Sequence, residues 1–200
     1  SAYHFDPINF QNGGFFSETP LVLWILLATV LLVVISLFGR KNKDGDIEEQ
    51  KVEKFFAGLG TEYEMFRDIV LPSQGGMSHI DFVVVSPYCI FVIDVREEEG
   101  VVFGDLNSQE WVIGKKDTIY NPAWRNRRNM NGLEDQIGKL EMQSVVIFTK
   151  ARLKGDFGMD VVNLKGLANI INSRKVEIIS QDRLVFARKI LASLCKARVA

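Results

Sequence analysis

Histidine and cysteine are nearly missing from these 200 residues: the chain has only His4 and His79, and only Cys89 and Cys195. Two isolated histidines leave no room for a His-rich metal centre and argue against a Ser–His–Asp triad. Neither cysteine belongs to a CxxC pair or has a histidine close by, which argues against a structural zinc site. Both lie in apolar or helical contexts and read as reduced thiols, not as a disulfide framework. Charge of one sign is also lacking, since 24 Lys and Arg face 25 Asp and Glu for a formal net charge of −1. Global electrostatics therefore do not favour a non-specific polyanion binder. No internal repeat or low-complexity tract occurs, and the length suits one ordinary domain plus a tail.

Apolar residues are crowded into one place. Leu21–Phe38 (LVLWILLATVLLVVISLF) is 18 residues without a charge, bounded by Pro20 and Gly39. At about 1.5 Å per residue such a helix covers roughly 27 Å, close to a bilayer's hydrocarbon core. A buried core helix would carry a polar stripe, and this run is apolar all round. A cleaved signal peptide is disfavoured because no Lys or Arg precedes the run and no small-x-small site follows it. Arg40, Lys41 and Lys43 lie directly downstream, so the positive-inside rule directs the C-terminal side to the cytoplasm. The expected arrangement is a single-pass inner-membrane protein. Residues 1–19 form an extracytoplasmic arm with Phe5, Phe10, Phe15 and Phe16, 20–39 the transmembrane helix, 40–45 a polar linker and 46–200 a cytoplasmic domain. The arm is too short to fold alone and suits the membrane interface or another membrane-protein subunit. The absence of an initiator Met is expected of a processed or trimmed N-terminus.

Within the domain, Asp46–Leu59 has the period of a helix, and Tyr63–Leu71 reads as extended up to a turn at Pro72–Gly76. His79–Val85 (HIDFVVV) and Ile90–Arg96 (IFVIDVR) are two apolar strands close enough to form an antiparallel hairpin. Val101–Phe103, Glu110–Ile113 and Thr118–Tyr120 are shorter strand pieces. Asn121–Pro122 opens a helix running to about Leu140. Ser144–Thr149 (SVVIFT) reads as a buried central strand, followed by a helix Leu164–Asn172, a strand Val176–Ile179 and a basic helix Gln181–Arg198. The order implies a three-layer α/β domain with a mixed sheet.

The unusual acids are Asp81 and Asp94, set in otherwise apolar strands. Burying a carboxylate is costly unless it is paired or binds a metal. Two on adjacent hairpin strands suit a hard divalent cation, with the Val95 carbonyl as a further oxygen donor. A structural salt bridge to Arg96 is the competing reading.

Five blocks in fixed order resemble the nuclease-related domain, NERD, of the PD-(D/E)xK superfamily: GDIEEQKVEKFF (Gly45–Phe56), HIDFVVVSPYCIFVIDVR (His79–Arg96), EEGVVFGDLNSQEW (Glu98–Trp111), NPAWRNRRN (Asn121–Asn129) and SVVIFT. The resemblance implies a restriction-endonuclease-like three-layer α/β/α core with a mixed sheet behind one transmembrane helix. It makes Asp81 and Asp94 metal ligands for Mg²⁺ or Mn²⁺, with Glu49 the acid of the first helix and Glu48 or Asp46 as near-register alternatives. Arg96 stands where the family has Lys. It can clamp a phosphate but cannot accept a proton. Arg125 stands nearest to the position where relatives carry Gln. Arg125, Arg127 and Arg128, interleaved with Asn126, Asn129 and Asn131, could track nucleic-acid phosphates or form an ordinary exposed helix face. Two functions follow: metal-dependent hydrolysis of DNA phosphodiesters at the cytoplasmic face of the membrane, or a catalytically degenerate, metal-free interaction subunit of a membrane assembly. Neither calls for a nucleotide cofactor.

Overall fold

The computed structural model of the chain describes residues 21–73 and 76–195. The expected N-terminal arm lies outside the described residues. By its contacts the chain divides into two units, with the division between Asp44 and Gly45. Helix α1 is Leu21–Ala57, so the stretch 40–45 read as a linker is helical here. Among the described residues no helix is long and apolar enough to cross a membrane. The described side chains of the apolar run are those of residues 23–32, and every one of them is exposed.

The second unit is built around a five-stranded sheet. Strands β1 (Glu64–Ser73), β2 (Gly76–Val85) and β3 (Ile90–Arg96) form an antiparallel meander. Next come β4 (Val101–Asp105), β5 (Glu110–Ile113), β6 (Asp117–Tyr120) and helix α2 (Pro122–Ile137). Strand β7 (Met142–Phe148) then returns parallel to β3. Strands β8 (Arg152–Asp156) and β9 (Val161–Asn163), then helices α3 (Leu164–Asn172) and α4 (Gln181–Leu194), complete the chain. The main sheet has the order β1-β2-β3-β7-β9, and a second sheet has the order β6-β5-β4-β8.

Strand alternation explains the layers. Phe91 and Ile93 of β3 join Phe82 and Val84 on one face, under Val52 and Phe56 of α1 and Leu167 and Ile171 of α3. Ile90 and Val92 join Val83 and Val85 on the other face, under Leu133 and Ile137 of α2 and Leu184 and Leu191 of α4. A mixed α/β fold is thus present as expected from the pattern, with a second sheet that the sequence reading did not separate. Trp111 is fully buried in a third core between that sheet and β7, beside Phe148 and Phe157. The expected strand Val176–Ile179 is irregular. The N–H groups of Ile178 and Ile179 both donate to the Pro87 carbonyl, and Val176 and Ile178 are exposed. Strand β9 pairs with β7 at the edge of the main sheet.

Helix α2 is fixed at its start by a buried cap. Asn121 Oδ1 accepts the N–H groups of Ala123 and Trp124, while its Nδ2 donates to the Ser108 carbonyl at 2.7 Å. Trp124 Nε1 donates to the Leu106 carbonyl, so the loop 106–108 of the second sheet holds the first turn of α2 in place.

Candidate functional site

The site arises where the β2–β3 ladder stops. Pairing runs from Val85 opposite Ile90 to Phe82 opposite Ile93, and the next step would set Asp81 against Asp94. Here the strands separate instead, and the Val95 N–H donates to Asp81 Oδ2 at 2.7 Å. The Ile90 N–H and the Arg96 carbonyl both bond on the β7 side, to Glu141 and Thr149. Alternation therefore turns the N–H and C=O of Val95 to the opposite edge, toward Asp81. The β1–β2 ladder is disturbed at the same level, since Asp68 and Asp81 are skipped. Asp68 has φ 52°, in the left-handed region where Asp is tolerated better than most residues.

Asp81, Asp94, Val95, Arg96 and Arg125 line one cavity of about 430 Å³, together with His79 and Asn129. Asp94 is only 8% exposed, and burial pushes its carboxyl up to about 6, with Asp81 adding to the rise. Arg125 and Arg96 pull the other way without cancelling it. Arg125 Nη2 donates to both Asp94 oxygens, at 2.7 and 2.9 Å. Arg96 is engaged elsewhere: its Nε donates to Glu98 at 3.2 Å and its Nη2 bonds the other Glu98 oxygen.

The acids of α1 divide. Glu49 accepts from Arg67 Nη2 at 3.0 Å, and burial and the nearby Asp81 charge hold its carboxyl above the usual range. Glu48 is only 3% exposed and bonds Lys51 at 2.7 Å. Burial raises it, but Lys51, Thr149 and Lys150 together hold it below the usual range. Of the two, Glu49 is the one that feels Asp81, although neither lines the cavity. The side chain of Asp46 lies outside the described residues.

The three arginines of α2 also part company. Arg125 and Arg128 line a second cavity of about 840 Å³, which shares Ser78, Arg125 and Asn129 with the first. The Arg128 guanidinium lies over the Tyr120 ring at 5.5 Å. Arg127 is instead paired with Asp160, its Nε donating at 2.8 Å, and lines neither cavity. Asn126 and Asn129, which looked like surface positions, are both buried.

Residues 44–149 match the family model described as the nuclease-related domain, NERD. The chain belongs to this family. An uncharacterised protein of Bacillus anthracis is 24% identical over 124 residues, a match covering 57% of this chain and 57% of that relative. This chain thus spans a little over half the length of the relative it matches. The NERD match takes in every residue expected at the site, from Glu49 to Arg128, and stops just after β7.

The donor set of the NERD domain's cavity suits a hard cation, because both carboxylates and the Val95 carbonyl offer oxygen. Burial, with Asp81 beside it, raises the Asp94 carboxyl more than Arg125 and Arg96 lower it. Among the described residues no group of three or more His, Cys, Asp and Glu stands ready to hold a metal. Further ligands would therefore come from backbone, water or substrate oxygen.

His79 was missed by sequence reasoning, although its i, i+2 spacing from Asp81 was a usable signal. Its Nδ1 lies 3.4 Å from Asp81 Oδ1 and its Nε2 lies 3.1 Å from Asp68 Oδ1. The hydrogen bond to Asp81 favours the imidazolium, and with Asp68 it outweighs burial, raising His79 above its ordinary 6.5. In a metal-free NMR titration His79 is expected to titrate above 6.5, and Asp81→Asn to return it toward that value. A parent His79 titrating at or below 6.5 would contradict the geometry.

Proposed function

We propose that the chain is a membrane-anchored, nuclease-like enzyme that hydrolyses DNA phosphodiesters with Mg²⁺ or Mn²⁺ at the cytoplasmic face of a bilayer. The observation that carries this reading is the convergence of Asp81 and Asp94 at the opened end of the β2–β3 hairpin, in one cavity with Val95, whose N–H donates to Asp81. That convergence on a meander joined to a parallel β7 also supports placing the domain in the PD-(D/E)xK superfamily. Asp81, Asp94 and the Val95 carbonyl would hold the ion. Such an ion polarises a phosphoryl oxygen and lowers the pKa of a bound water. The protein supplies the rest. Arg128, and Arg125 once it leaves Asp94, are the cations that would meet a substrate phosphate along the adjoining cavities. His79, whose imidazolium is favoured by Asp81, is placed in the cavity to release a proton to a leaving oxygen.

The anchor rests on Leu21–Phe38 and its flanking charges. Ten consecutive exposed positions, 23–32, with Leu23, Trp24, Ile25, Leu26 and Leu27 each 45% exposed or more, are unsuited to water on every side of a helix. The Phe-rich arm and this helix would meet lipid or other membrane-protein subunits.

The test is cleavage of linear and supercoiled DNA by the full chain in detergent, with Mg²⁺, with Mn²⁺ and with chelator. Metal-dependent cleavage that Asp81→Ala removes is expected, and absence of cleavage across DNA and RNA substrates would sink the reading. The degenerate-subunit alternative is favoured by one observation, that Arg96 and Arg125 are both already engaged with carboxylates. It predicts no metal binding and a stoichiometric membrane partner on purification.

A further inference from the structure

Arg125 holds Asp94 in an unusual way. One nitrogen, Nη2, lies 2.7 and 2.9 Å from the two carboxylate oxygens, the place on a carboxylate that a bidentate cation takes. The other guanidinium nitrogens make no hydrogen bond among the described residues, so the planar fork of arginine goes unused. The two partners differ in freedom: the Asp94 side chain is 12% exposed and the Arg125 side chain 45%. Asp94 is held in β3, whereas Arg125 reaches it from the surface of α2.

Space to receive it exists. The second cavity shares Arg125 with the first and adds Arg128 and Asn131 to its wall. A guanidinium does not lose its proton, so a divalent ion reaching Asp94 must displace it rather than neutralise it. Two cations cannot share one carboxylate edge at these distances without strong repulsion.

We propose that Arg125 is a displaceable internal cation, occupying the metal's place on Asp94 and turning, once displaced, into the adjoining cavity to take a substrate phosphate. This rests on the metal-site reading above and adds to it a coupling. Metal entry frees the phosphate ligand, and a bound phosphate, by keeping Arg125 off Asp94, favours the metal in return. The metal-free site is thereby closed on itself, and its metal affinity is set by an arginine outside the ligand set.

Calorimetric titration of Mn²⁺ into the full chain in detergent tests this, with Arg125→Gln and Arg125→Lys beside the parent. Circular dichroism checks that each is folded. Arg125→Gln is expected to bind Mn²⁺ at least about tenfold tighter, equivalent to about 1.4 kcal/mol, and Arg125→Lys to stay nearer the parent because it keeps the charge. Equal affinities in all three would overturn the inference while leaving the metal site standing. No Mn²⁺ binding by the parent or by either variant would remove the metal reading and this inference with it. The phosphate half is read from a phosphorothioate oligonucleotide. Its affinity should rise with Mn²⁺ several-fold more in the parent than in Arg125→Gln, and equal gains would refute that half.

Discussion

Replacing Asp94 by Asn is expected to yield a protein that no longer cleaves with Mn²⁺ yet melts higher than its parent at pH 8. Loss of activity follows from removing one of two carboxylates, which should cost at least about a hundredfold in rate, on the scale of losing a preorganised electrostatic contact. The stability gain follows from burial. The Asp94 carboxyl is raised from 3.8 to about 6 in the fold. A raised acid favours the folded state when protonated, so its stabilising contribution is complete below about pH 3.8 and is lost as pH rises through about 6. Above that range the ionised group costs about 3 kcal/mol, since a tenfold change in proton affinity is worth about 1.36 kcal/mol. Asn mimics the protonated form and avoids that cost. For a domain of this size the melting temperature should rise by roughly 5–10 °C at pH 8 in chelator. Near pH 3.5 the two proteins should melt together.

The Arg125 pair is what could defeat this expectation. If its attraction outweighs burial, Asp94→Asn will melt lower than the parent at pH 8. Asp94 is then a structural ion pair, and the case for a cation site weakens sharply. The measurement thus separates a strained functional acid from a satisfied one, independently of any nuclease assay.

Asp81 and Asp94 were legible because a carboxylate inside an apolar strand contradicts the pattern around it. The hairpin, β7 and α3 were legible for the same reason in reverse, since local pattern and tertiary role agree. What periodicity could not show was the break in it. Phe66 and Ile69, and likewise Ile80 and Val83, face one core across a three-residue step, and Asp68 and Asp81 lie in that step. This distortion exists only because two strands meet, and Asp68 and Asp81, the two acids that His79 reaches, both lie in it. The second sheet was blurred because β8, Arg152–Asp156, is polar and largely exposed, so it carries no alternation to read. Arg96 looked like the phosphate clamp by position, but Glu98 two residues on captures it, and the cation that meets Asp94 is Arg125, 31 residues away in sequence.

Asn126→Asp should destabilise the fold by more than Asn126→Ala, by at least about 3 kcal/mol at pH 7, and should partly recover in acid. Asn126 was read as one of the polar residues alternating with arginines on α2. Helical spacing alone cannot say which face of such a stretch turns inward. In the fold it is fully buried, and its Nδ2 donates to the Val92 carbonyl at 2.8 Å and to Ser144 Oγ at 2.9 Å. It also reaches the Val145 carbonyl at 3.3 Å, so one amide ties α2 to both β3 and β7. Its Oδ1 is buried without a partner, so the site offers nothing to a second acceptor. Aspartate would set an acceptor against two carbonyls and bury a charge with no donor to meet it. Its carboxyl would be raised in the fold, so stability returns as pH falls and the group protonates. Alanine removes the amide's bonds to the same carbonyls, which stay within the β3–β7 ladder, and adds no charge, so it should cost about 1–2 kcal/mol. Denaturant melts at pH 7 and pH 4 decide between them, and equal costs for the two variants at pH 7 would overturn this expectation. The tie matters for the site because Asn126 adjoins Arg125 on the helix, while Val92 lies two residues before Asp94 on the strand. The amide that joins helix to sheet therefore also sets where Arg125 meets Asp94.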